Sequence, residues 1–229
     1  MSGQILLLSG GLDSFAIWRI LGKPRAVYMD IKNKASARER DCVMRIMRDF
    51  PSSDITIRTG LGLRKHEQQD GFIPYRNLFM ILLASLMPVC NEIIIGQVNE
   101  WQVDKNKKFY RLMEKIISDH AQKKVRVHAP FAGHTKSQLV EKYLTIGSAE
   151  ELKKYSYSCR KGGKIHCGNC TNCLRRYMAF KNNEIIEPMK RTPTMKDFVD
   201  KWRNPERKPS VDRTIQYFKR FFEARRAFK

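Results

Sequence analysis

Gln4-Ile5-Leu6-Leu7-Leu8-Ser9-Gly10-Gly11-Leu12-Asp13-Ser14 reads as a buried strand, a tight turn and the start of a helix. The apolar run Gln4–Leu8 suits a parallel strand covered on both faces. The helix that follows, Asp13 to Leu21, carries Phe15, Ile17, Trp18 and Leu21 on one side. Between them, Gly10 and Gly11 let the backbone approach a phosphate and point N–H groups at it. The helix N-terminus adds partial positive charge. Ser9 and Ser14 offer hydroxyl donors, and Asp13 either helps to hold Mg²⁺ or caps the helix. A plain Gly-Gly turn is the bland alternative. The pattern is not a Walker loop, which needs Gly-Lys-Ser or Gly-Lys-Thr.

Working outward, strands and helices alternate. Ala26–Met29, Asp54–Arg58, Glu92–Ile95 and Val125–His128 read as strands, and Ala37–Phe50, Arg76–Met87, Phe109–Lys123 and Thr135–Tyr143 as helices. The expected fold is α/β, a twisted parallel sheet with helices on both faces. No internal repeat is visible. Three segments are expected: residues 1–155 as a nucleotide-binding domain, 156–180 as a cysteine knuckle and 181–229 as a basic extension. The extension contains Pro188, Pro193, Pro205 and Pro209 and reads as loop-rich at first. A helix from Val211 to Lys229 then places Ile215, Phe218, Phe221 and Phe222 on one side. Those rings are expected to pack on the domain or on a second copy, leaving Lys219, Arg220, Arg225 and Arg226 outside.

Four of the six cysteines, Cys159, Cys167, Cys170 and Cys173, fall within 15 residues. Two overlapping C-x-x-C steps with a fourth cysteine upstream suit a closed tetrahedral Zn²⁺ site with a role in folding. An iron–sulfur cluster and a redox pair are the alternatives. Lys161, Lys164, Arg175 and Arg176 flank the cluster and are expected to offset its charge. Cys42 and Cys90 read as small buried hydrophobes. The five histidines show no metal spacing, although His166 stands beside Cys167.

Hydrophobic residues make up 42% and charged residues 29% of the 229. No apolar run reaches the roughly 18 residues of a membrane span, and no signal peptide is recognisable, so a cytoplasmic location is expected. The net charge is +21 overall and +7 in the extension, which holds 14 basic and 7 acidic residues. Such an excess attracts polyanions and makes weak nucleic-acid binding an expectation. A solvated basic surface is the alternative.

Ser9–Ser14 resembles the phosphate loop of the PP-loop ATP pyrophosphatases, which cleave ATP between the α- and β-phosphates and adenylate a substrate oxygen. Further landmarks narrow the resemblance. Ile73-Pro74-Tyr75-Arg76-Asn77, His128-Ala129-Pro130 with Thr135-Lys136, and Ser158-Cys159 with Cys167–Cys173 follow in order. From about Ile5 to Tyr177 the chain is similar to the 7-cyano-7-deazaguanine synthase family. That resemblance implies ATP, Mg²⁺ and Zn²⁺, with ammonia and a deazapurine carboxylate as the small-molecule partners. It places Ser9, Gly10, Gly11, Leu12, Asp13, Ser14, Met29, Arg76 and Asn77 around the nucleotide. Asp13, Ser14, Arg76 and Lys136 would take part in the chemistry, and Asp104, Trp101 and Tyr75 would meet the substrate. Each has a plainer reading: Arg76 as a surface arginine, Lys136 as an exposed lysine, Asp104 as a helix cap, Trp101 as a core or lid residue.

The chain departs from the family after Gly96. The usual Ser-Gly-Tyr-Pro-Asp is replaced by Gln97-Val98-Asn99-Glu100-Trp101-Gln102-Val103-Asp104, and Tyr75 stands where a glycine is usual. Two other functions remain open on the sequence: a related enzyme acting on a nucleic acid or protein, and a non-catalytic zinc-knuckle nucleic-acid-binding protein.

Overall fold

The computed structural model describes residues 3–68, 72–98, 104–202 and 211–228, with the backbone alone at 202 and 211–216. Trp101 and the side chain of Ile215 lie outside the described residues.

Five short strands, β1 (Gln4–Leu7), β2 (Ala26–Met29), β3 (Ile55–Arg58), β4 (Glu92–Ile95) and β5 (Arg126–His128), form one sheet in the order β3-β2-β1-β4-β5. Every pairing is parallel, with Leu6 opposite Ala26 on one side and Ile94 on the other. Side chains alternate across the sheet with period two. Leu6, Tyr28 and Ile94 enter one core, and Ile5, Val27, Met29, Ile93 and Ile95 enter the other.

The first core is roofed by α1 (Leu12–Ile20), α2 (Ser36–Asp49), α5 (Lys136–Leu144), α6 (Ala149–Tyr155) and α7 (Thr171–Lys181). Phe15 and Trp18 of α1 are fully buried there, with the ring of Phe15 against Tyr143 and Tyr155. The second core is covered by α3 (Arg76–Ser85) and α4 (Lys107–Ala121) through Ile81, Ala84, Tyr110, Met113 and Ile117. The expected doubly covered parallel sheet is therefore present.

The C-terminal part holds more structure than its prolines suggest. A helix α8 (Met195–Trp202) precedes α9 (Val211–Ala227), and Phe198 packs with Leu174, Met178, Ala224 and Ala227. Of the three phenylalanines of α9, Phe221 joins that cluster, whereas Phe218 and Phe222 are 53% and 62% exposed. The small residues Ala224 and Ala227 let α9 lie close on α7, so the buried stripe is rotated away from the two rings. Glu223 on α9 accepts hydrogen bonds from the N–H and hydroxyl of Ser137 in the first turn of α5. The extension thereby buttresses the helix that begins at Lys136.

Candidate active site and metal centre

A parallel sheet binds ligands beyond the carboxyl ends of its strands, at the point where strand order reverses. Here that point lies between β1 and β4. Leu7, Met29 and Ile95, at the ends of three strands, line a cleft of about 240 Å³. Ser9, Gly11, Leu12 and Asp13 line it from the phosphate loop, Arg76 and Asn77 from α3, and Lys136 from α5. Five separate stretches of sequence therefore converge on one opening.

The loop is shaped by close approach. Gly10 has φ +68°, and a Cβ there would stand 2.4 Å from the carbonyl oxygen of Glu39. Gly96, after β4, faces the Ser14 Cα, which a Cβ would meet at 2.8 Å. Ser14 itself is buried; its Oγ accepts from the Ser9 N–H and lies 2.9 Å from the Ser9 hydroxyl. It also donates to the Gly11 carbonyl. Ser14 thus ties the loop together from behind, while Ser9 faces the cleft. The tenth residue is fastened from another direction, because Tyr157 N–H donates to the Gly10 carbonyl at 2.8 Å.

Gly11 occupies the N-cap position of α1, and no side chain caps that helix. Asp13 instead pairs with Lys136 Nζ, with both side chains largely buried. Lys136 is the first residue of α5, placed by a capping box between Thr135 and Gln138. The plain-lysine reading of Lys136 and the cap reading of Asp13 are both set aside by that ion pair. Arg76 and Asn77 open α3, and Asn77 Nδ2 donates to the Asp104 carbonyl. Asn106, not Asp104, caps α4. One carboxylate oxygen of Asp104 is buried without a hydrogen-bond partner among the described residues. Asp104 is not among the residues that line the cleft, although its neighbour Lys105 is.

Tyr75 is 77% exposed and does not line the cleft. Its backbone is left-handed at φ 59°, a conformation suited to glycine. The remaining wall contains residues that the sequence does not assign to nucleotide or substrate: Asn33, Glu39, Gln97, Lys105, Tyr157, Ser158, Asn172 and Arg175. Burial pushes the Glu39 carboxyl up to about 7, opposed by Arg76 and reinforced by Asp30 and Glu67. No short motif announces these positions, because each reaches the cleft through tertiary packing.

The cysteine segment is the second centre. Cys159, Cys167, Cys170 and Cys173 bring their sulfurs within 4.8 Å of one another. Cys159 and Cys173 are fully buried. Cys170 Sγ caps α7 by accepting from the Cys173 N–H. Gly168 has φ +74°, and a Cβ would collide with the Arg191 carbonyl at 1.6 Å. Four converging thiols on a tight turn fit one tetrahedral ion. His166 does not join them: its Nε2 accepts from the Ser158 N–H, its ring stacks on Tyr157, and burial lowers it to about 4. Arg176 does not offset the cluster as expected. It is fully buried and bidentate to Glu187, with a further bond to Ser156. Cys42 and Cys90 are buried as expected.

The chain was compared with known proteins. A family profile described as "Queuosine biosynthesis protein QueC" matches residues 51–184, more than half of the chain. A relative named "7-cyano-7-deazaguanine synthase 1" from Sulfurisphaera tokodaii is 30% identical over 203 residues, covering 81% of this chain and 96% of its own length. A "7-cyano-7-deazaguanine synthase" from Methanosarcina mazei is 28% identical over 225 residues, with the same coverage of 81% and 96%. One from Methanocaldococcus jannaschii is 28% identical over 220 residues, covering 77% and 93%. With its parallel sheet, phosphate loop and four-cysteine centre, the chain belongs to the QueC family of queuosine biosynthesis enzymes.

Proposed function

We propose that the protein is a 7-cyano-7-deazaguanine synthase. It adenylates the carboxylate of 7-carboxy-7-deazaguanine with ATP and converts it with ammonia to the nitrile. A carboxylate is a poor electrophile, and AMP makes it a good one. The carboxylate oxygen attacks the α-phosphorus, and pyrophosphate leaves. Ammonia adds to the acyl carbon, and AMP leaves with the original oxygen, giving the amide. A second ATP adenylates the amide oxygen; loss of AMP and of the remaining N–H protons leaves the nitrile.

The observation that carries this reading is the convergence of Ser9, Gly11, Asp13, Arg76 and Lys136 on one cleft at the strand ends. Backbone N–H groups of the loop and the N-terminus of α1 would hold the triphosphate. Lys136 and Arg76 would neutralise charge that grows as pyrophosphate departs. Asp13 would orient Lys136 and meet the Mg²⁺ that travels with ATP. Asn77 and Met29 would bound the adenosine. The unpartnered oxygen of Asp104 suits the ring N–H groups of a deazaguanine. The four cysteines would hold Zn²⁺, which supplies a fixed scaffold with all four positions filled. Lys219, Arg225 and Arg226 on the outside of α9 would give weak, salt-dependent contact with nucleic acid.

The test is turnover. Incubation with ATP, Mg²⁺, ammonium and 7-carboxy-7-deazaguanine should give the nitrile by mass spectrometry, with two AMP and two pyrophosphate per nitrile. AMP formation that ignores the deazapurine would reject the substrate assignment.

A further inference from the structure

We propose that Glu39 is the proton acceptor for the nitrogen that becomes the amide and then the nitrile. The inference rests on the synthase reading and assigns the one step to which the phosphate loop, Lys136 and Arg76 are unsuited. Cations stabilise departing phosphates, but they do not remove a proton from an ammonium ion.

Glu39 sits in the first turn of α2, and its main chain lies directly behind Gly10 of the phosphate loop. Glu39 lines the cleft together with Ser9, Gly11, Arg76 and Lys136. None of the described residues donates a hydrogen bond to its carboxyl, which stays available to a ligand. Among the described residues the other acid at the cleft wall, Asp13, is paired with Lys136. The groups around Glu39 come from four elements. Arg76 faces it from α3, Asp30 and the buried Tyr28 from the end of β2, and Glu67 from the turn before α3. Arg40, on its own helix, is turned to Asp30, as is Lys32. One cation against two further carboxylates, in a partly desolvated wall, sets Glu39 near neutrality. An acid so placed is anionic often enough to attract ammonium and basic enough to take its proton.

The step balances. Ammonium gives one proton to the Glu39 carboxylate. The nitrogen lone pair forms the C–N bond at the acyl adenylate, and the C–O bond to AMP breaks. A proton of the resulting N–H₃⁺ group passes to solvent. Glu39 then returns its proton to solvent. In the second cycle the adenylated amide loses one N–H proton to solvent, and the remaining imidate N–H gives its proton to Glu39 and its electron pair to the third C–N bond as AMP departs.

The test compares wild type and Glu39→Gln by two assays. Carboxylate-dependent exchange of labelled pyrophosphate into ATP reads adenylation without ammonia, and amide and nitrile formation at fixed total ammonium reads the later steps. Glu39→Gln should keep exchange within about threefold of wild type. At pH 7 it should lose about 10²-fold in amide formation, the usual worth of a general base. The gap should close as pH is raised, because free ammonia needs no acceptor. Thermal melting shows whether the variant is folded. Unchanged amide formation at pH 7, a pH-independent defect, or a parallel loss of exchange would overturn the assignment. If wild type itself shows no carboxylate-dependent exchange, the synthase reading fails instead.

Discussion

Ser9–Ser14 and Cys167–Cys173 are both short turns built on a glycine that no other residue can replace. Gly10 is pressed against Glu39 and Gly168 against Arg191, each with positive φ. They differ in what fills them. The first turn is held from behind by Ser14, and its Ser9, Gly11, Leu12 and Asp13 line the cleft. The second closes four sulfurs on one another, and of its own residues Asn172 reaches the cleft, beside Tyr157, Ser158 and Arg175. On the proposed function, the first turn would exchange its ligand at every turnover and the second would keep its ion throughout. Among the described residues, the Tyr157 N–H, two residues before Cys159, donates to the Gly10 carbonyl and so links the cysteine segment to the loop. The closed turn therefore helps to hold the open one.

Breaking the closed turn should have the largest effect. Cys159→Ser or Cys173→Ser is expected to lose the metal, unfold residues 156–180 and abolish turnover, since structural zinc contributes about 10 kcal/mol or more to such segments. Metal analysis and circular dichroism check this; a folded, active, metal-free variant would contradict it. The two glycines separate the roles. Gly168→Ala should cost about 3 kcal/mol or more in stability, because a buried backbone atom must move. The surviving folded fraction should bind ATP normally. Gly10→Ala should instead weaken ATP binding by about 10²-fold, an effect of misplaced loop donors. Calorimetric titration beside thermal melting distinguishes the two.

Smaller effects sharpen the picture of the open turn. Asp13→Ala and Lys136→Ala should each lower kcat by about 10²- to 10³-fold with little change in melting. The double variant should be scarcely worse than either single one, since the pair acts as a unit. Smallest is the stability effect of Glu39→Gln. The folded protein holds the Glu39 proton up to about pH 7, while the unfolded chain releases it near the ordinary value of 4.5. Wild type therefore loses stability as pH rises from 4.5 to 7, and the neutral glutamine does not. The variant should be about 1–2 kcal/mol more stable at pH 8 and no better at pH 4. Denaturation at both pH values checks the sign.

The sheet was legible because its strands are short apolar runs broken by glycine, and its helices carry one apolar face each. Ala26–Met29 and Glu92–Ile95 have the bounds that the pattern suggests. Helices α6 and α7 escaped notice, although Ser148 and Glu151 form a capping box and Cys170 caps α7. Both caps are local signals, but the metal-ligand spacing of the cysteines masks the helix that they start. The phosphate loop and the four sulfurs were legible because each motif is contiguous. Glu39, Tyr157 and Arg175 were not, because they reach the cleft only after α2 and α7 have packed on the sheet. Phe218 and Phe222 do not pack on the domain, because close packing of α9 on α7 selected Ala224 and Ala227, which leaves a second copy as the expected partner for those two rings.

The most direct measurement follows an oxygen atom. With 7-carboxy-7-deazaguanine labelled with ¹⁸O in its carboxylate, attack on the α-phosphorus moves one labelled oxygen into AMP when the acyl bond breaks. Mass spectrometry of the nucleotides should show ¹⁸O in AMP and none in pyrophosphate. Label in inorganic phosphate with ADP as the other product, or unlabelled AMP, would contradict adenylation of the carboxylate at the cleft of Ser9, Asp13, Arg76 and Lys136.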